Sequence, residues 1–88
     1  MVSFVQREVS ELAEDPSPSG EAILLVGYTA GSSDVKRFVT SEGGEVLESL
    51  PYRSLRVKLP ETSLEGLLNQ SSVETVELDS GMETLQGN

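Results

Sequence analysis

Apolar residues recur along this chain in two rhythms, and the switches between them set the expected order of elements. From Ala22 to Thr29 the run Ala-Ile-Leu-Leu-Val-Gly-Tyr-Thr is short, apolar and bounded by Gly31, which predicts a buried central strand. Val35, Phe38 and Val39 then fall at i, i+3 and i+4, one apolar stripe of a helix reaching about Glu42. Gly31-Ser-Ser-Asp supplies its start. Gly43-Gly44 ends it, because the left-handed position after a helix favours a residue without Cβ. Residues 45–52 read as a second strand. Across residues 54–59, Leu55, Val57 and Leu59 alternate with Ser54, Arg56 and Lys58, a period of two with one wet face, and Pro60 stops the strand. Thr62-x-x-Glu65 has capping-box spacing and opens a second helix with the stripe Leu64, Leu67 and Leu68. Residues 73–80 form the last strand, with Val76 and Leu78 facing one way and Thr75, Glu77 and Asp79 the other.

The resulting β-α-β-β-α-β order predicts an α+β fold of the ferredoxin-like kind. It has a four-stranded antiparallel sheet, two helices on one face and right-handed crossovers. The second sheet face is left uncovered. Before this unit, Phe4, Val5, Val9 and Leu12 fall loosely at helical spacing, and Asp15-Pro-Ser-Pro-Ser-Gly reads as a linker. The expected organisation is therefore an N-terminal extension and linker over residues 1–20, the domain over 21–80, and a flexible tail over 81–88.

Composition narrows function more than fold. The chain has 88 residues, enough for one domain with a thin core. Its 15 acidic and 6 basic residues give a net charge of −9, which opposes binding to phosphate backbones or anionic lipid, so neither nucleic acid nor membrane is an expected partner. There is no cysteine and no histidine, which removes disulfides, thiol nucleophiles, the usual general base and the commonest metal ligand. No enzyme, cofactor or metal is expected. The N-terminal residues lack the basic and apolar regions of a signal peptide, and the longest apolar stretch, Ala22 to Val26, is too short to span a membrane.

Short motifs add little. Asp79-Ser80 has the residue types of a phosphopantetheine attachment site, but here the serine ends a strand rather than opening a helix. Gly27-x-x-x-Gly31-Ser-Ser could cradle an anion, yet a turn followed by a helix cap explains it and no P-loop lysine follows the pair. No calcium-loop pattern is present. Glu77 and Asp79 stand apart from the scattered acids, since they project together from the uncovered sheet face.

Several segments, in this order, resemble the pro-region of subtilisin-type serine proteases, a domain that also occurs as free-standing inhibitors. They are Ile23-Leu-Leu-Val-Gly-Tyr, Asp34-Val-Lys-Arg, Ser41-Glu-Gly-Gly-Glu-Val, Leu59-Pro-Glu and Val73-Glu-Thr-Val-Glu-Leu-Asp. The resemblance spans residues 22–85. It implies the same ferredoxin-like fold and a subtilisin-like serine protease as partner. It implies that the open sheet face docks on two surface helices of the protease, whose N-termini Glu77 and Asp79 would cap. The tail would then lie product-like in the substrate cleft, with Met82 at P4, Glu83 and Thr84 between, and Leu85 at P1. As a pro-region the chain would also act as an intramolecular chaperone. A free-standing inhibitor is expected in the cytoplasm and monomeric when free, an excised pro-region of a secreted protease outside the cell.

Three other readings compete. A ferredoxin-like regulatory module binding a small ligand would leave the tail unused. A structural domain could add a strand to an unrelated partner. An acylphosphatase-like enzyme would need Arg37 and Asn69 at a phosphate loop, where neither falls.

Overall fold

The computed structural model describes residues 3–29 and 31–79. In chain order the elements are β1 (Phe4–Val5), α1 (Arg7–Glu14), β2 (Glu21–Tyr28), α2 (Ser33–Ser41), β3 (Glu45–Leu50), β4 (Ser54–Pro60), a 3-10 turn (Glu61–Ser63), α3 (Leu64–Leu68) and β5 (Val73–Leu78). The strands form one sheet in the order β1-β5-β2-β4-β3. Within residues 21–78 the β-α-β-β-α-β order stands as the patterning predicts. The expected count of four strands and two helices is corrected to five strands and three α-helices among the described residues.

The additions come from the N-terminal segment. Phe4 and Val5 pair in parallel with Thr75 and Val76, so β1 lines the outer edge of β5. Ser3 donates its amide to the Glu74 carbonyl at 2.7 Å and Gln6 donates to Val76 at 3.0 Å. The α1 helix buries Val9 completely in the main core, with Leu12 and Ala13 packed against it. Two strand residues have no readable period, so nothing in the pattern of Phe4-Val5 could announce a strand apart from its partner.

One core joins all three helices to a single face of the sheet. Val9, Val35, Val39, Leu64 and Leu67 from the helices meet Ala22, Leu24, Val26, Leu55, Val57, Leu59, Val73 and Val76 from the strands. Because strand side chains alternate, Ile23, Leu25, Arg56, Lys58 and Glu77 must point the other way. A register shift in the β2–β5 pairing passes over Glu74, which leaves that carboxylate outside the core and returns Val73 to it.

Two helix ends differ in how far the sequence announces them. After α2, Gly43 takes φ +83°, the Gly44 amide reaches the Val39 carbonyl at 2.8 Å and the Gly43 amide reaches Thr40 at 3.2 Å. That is the paired bond pattern of a Schellman cap, as the two glycines predict. The start of α3 is different. Thr62 and Glu65 form no capping box; residues 61–63 are a 3-10 turn and the helix lacks a side-chain cap bond. The starting cap expected from Ser32 or Ser33 is likewise without a side-chain bond. The second strand of the pattern also ends earlier than expected, at Leu50, because Tyr52 and Arg53 turn left-handed.

Candidate functional site

The uncovered face is built as three rows crossing the sheet. In the middle row Glu77 on β5 lies opposite Leu25 on β2, Leu25 opposite Arg56 on β4, and Arg56 opposite Glu48 on β3. Toward one end, Ile23 lies opposite Lys58 and Lys58 opposite Glu45. Toward the other, Thr75, Gly27, Ser54 and Leu50 make the third row. Ile23 and Leu25 thus form a half-buried apolar strip along β2, flanked by charged side chains from β4 and β5. An apolar centre within a charged margin is the usual anatomy of a protein-binding surface.

Arg56 organises the charges. Its Nε donates to Asp79 Oδ2 at 2.9 Å and its Nη1 contacts Glu48 Oε1, so one guanidinium bridges β3 and β5 across β2. A β-bulge between Val46 and Glu48 brings Glu48 to the arginine's side; unbroken alternation from Val46 would have turned it away. Lys58 sits 3.9 Å from Glu21, a looser pair at the end of β2.

The structure gives the two carboxylates expected to act together different surroundings. Glu77 is exposed and makes no ion pair or side-chain hydrogen bond among the described residues. Asp79 has a side chain only 14% exposed and is held by Arg56. Met82, Glu83, Thr84 and Leu85 lie outside the described residues. Arg56, Glu48 and Gln6 belong to no motif that the sequence displays. The wet-face position of Arg56 is legible there, but its partners depend on strand order and on a bulge that the pattern does not announce.

Among the described residues, no group of three or more acidic side chains could hold a metal ion, and no helix is long and apolar enough to cross a membrane. Shallow clefts occur elsewhere, such as one of about 400 Å³ between α1 and α3 lined by Ser10, Ala13, Glu14, Glu65 and Leu68.

The open, charge-edged sheet face is the surface that this small α+β domain, with its helices all on the other side, leaves free for a partner. The chain belongs to the family described as "Putative peptidase inhibitor domain", whose model matches residues 2–79. It is accordingly a non-enzymatic protein with an inhibitor role, and its partner is a peptidase. The match takes in β1 and α1 together with the later elements. A comparison with curated proteins finds no match to this chain.

Proposed function

We propose that the chain inhibits a subtilisin-like serine protease by docking its open sheet face and placing its C-terminal tail in the substrate cleft. The observation that carries this reading is the face itself: Ile23 and Leu25 present an apolar strip, and the Glu77 carboxylate stands beside it unpaired and exposed. The ferredoxin-like arrangement of β2 to β5, and the resemblance of residues 22–85 to subtilisin pro-regions, are what favour a subtilisin-like partner within the peptidases.

The physics of docking follows from the groups available. A helix N-terminus offers unpaired N–H groups and a partial positive charge. Glu77 can accept such donors without first losing a partner. Asp79 can offer its second oxygen while Arg56 keeps the first. Charge-assisted bonds of this kind are about twice as strong as neutral ones. The tail then adds as an extended strand in the cleft, with the apolar side chains of Met82 and Leu85 filling the P4 and P1 pockets. If the domain is a pro-region, the same contacts would template the helices of the folding protease.

The test is a titration of a subtilisin-type protease with the intact chain, following substrate hydrolysis and the mass of the chain together. Stoichiometric inhibition, with any cleavage falling after Leu85, supports the reading and its register. Absence of inhibition at both low and high salt removes it.

A further inference from the structure

The end of β5 is held from three directions. On its inner side the Asp79 amide donates to the Ile23 carbonyl at 2.9 Å. On its outer side the Leu78 amide donates to Gln6 Oε1 at 2.8 Å. From the open face, Arg56 Nε donates to the Asp79 carboxylate at 2.9 Å.

Two of these contacts come from residues whose local roles do not explain them. Gln6 occupies the cap position of α1, where Ser, Thr, Asp or Asn is preferred, and its side chain makes no bond to that helix. Instead the side-chain amide adds one more rung to the β1–β5 edge after the backbone of β1 has turned away. Arg56 projects from β4, with β2 between it and Asp79, so the two side chains reach toward each other over β2 to close a gap of roughly 9–10 Å, two strand spacings. Glu48 grips the same guanidinium from the opposite side. A lysine could not engage both carboxylates with a planar fork.

We propose that Gln6 and Arg56 are positioning residues, fixing Leu78 and Asp79 so that the C-terminal segment leaves the sheet at a set point and in a set direction. The proposal rests on the reading that this segment enters a protease cleft. Strand ends fray when nothing holds them. A tail launched from a frayed end must be ordered as it binds, whereas one launched from a pinned end has part of that ordering already done.

The test is a two-by-two comparison on the full chain. Gln6→Leu and Arg56→Met are each made with the natural tail and with a tail disabled by Met82→Asp and Leu85→Asp. Inhibition constants against a subtilisin-type protease are measured with thermal unfolding alongside, and Arg56→Lys replaces Arg56→Met if the latter does not fold. With the natural tail each substitution is expected to weaken inhibition about tenfold, and with the disabled tail by less than about twofold. Equal losses in both backgrounds, or no loss, overturn the proposal. So does tighter inhibition by Arg56→Met, which means that Arg56 withholds Asp79 from the partner. If the natural chain inhibits no such protease, the functional reading fails, and amide exchange in the free chain decides the anchor separately. Exchange at Leu78 and Asp79 about tenfold faster in the variants, with the Val57 amide unchanged, sustains the anchor; unchanged exchange removes it.

Discussion

Ser63 Oγ donates to Glu42 Oε1 at 2.9 Å, tying the turn that precedes α3 to the residue that ends α2. Ser63 is buried, and Glu42 reaches its hydroxyl from an exposed position. Losing it leaves the Glu42 carboxylate without that donor. Ser63→Ala is expected to destabilise the domain by about 1 kcal/mol. Thr62→Ala, which a capping box would have made costly, is expected to change stability by less than about 0.5 kcal/mol. Urea unfolding of both variants checks the pair; the reverse ranking would restore the capping box.

Val9 is fully buried although it lies in the segment that reads as an extension. Removing two methyl groups there leaves a void between α1, α3 and the sheet. Val9→Ala is expected to cost about 2 kcal/mol, and Val9→Asp to unfold the domain. A circular-dichroism melt distinguishes this from a segment that merely trails from the core, for which both variants would melt as the natural chain does.

These two sites show which parts of the molecule were legible in the sequence. The strands β2 and β4, the helix α2 and its Gly43-Gly44 end follow from patterns of near neighbours: alternation, a 3–4 stripe and a residue that must turn left-handed. The helical spacing of Val9 and Leu12 was visible too, but its burial was not, because nothing local says which surface an amphipathic turn will meet. The strand β1 exists only through its pairing with β5. On the open face, the exposure of Glu77 followed from alternation, whereas the capture of Asp79 by Arg56 depends on strand order and the second grip by Glu48 on the bulge that turns it to the open face. Interactions between distant segments are set by topology, which a single chain's periodicity does not encode.

Glu77 offers a clean separation of binding from folding. It is exposed and its side chain holds nothing among the described residues. Glu77→Gln is expected to leave the melting temperature nearly unchanged while weakening inhibition of a subtilisin-type protease about tenfold, the loss of one charge-assisted contact. Glu77→Lys, which would face a helix N-terminus with like charge, is expected to weaken it further. If both variants inhibit as well as the natural chain, Glu77 does not meet the partner.

The net charge of −9 on so small a domain favours expansion through self-repulsion. The Debye length falls from about 30 Å at 0.01 M salt to about 3 Å at 1 M. Sodium chloride is therefore expected to raise the urea midpoint steadily over that range. A flat response would mean that the paired charges around Arg56 and Lys58 offset the excess of acid.

The hairpin between β3 and β4 turns through Pro51-Tyr52-Arg53, and both Tyr52 and Arg53 adopt left-handed backbone, with φ of +62° and +58°. A residue bearing a Cβ carries roughly 1–2 kcal/mol of strain in that region, and asparagine tolerates it better than a bulky side chain does. Arg53 has a compensating contact, since its Nη1 donates to the Thr29 carbonyl at 3.1 Å and its own carbonyl accepts the Tyr28 amide at 2.9 Å. Tyr52 has a side chain pointing into solvent, the residue being 95% exposed. The turn thus holds an exposed aromatic in a conformation that the residue itself disfavours. Tyr52→Asn is expected to stabilise the isolated domain by about 0.5–1 kcal/mol, because it eases the backbone while removing almost no buried surface. The hairpin lies at the end of the sheet opposite Asp79, so inhibition should be unaffected. Urea unfolding and an inhibition titration on the same variant check both halves. A loss of inhibition without loss of stability would instead place Tyr52 in contact with the peptidase.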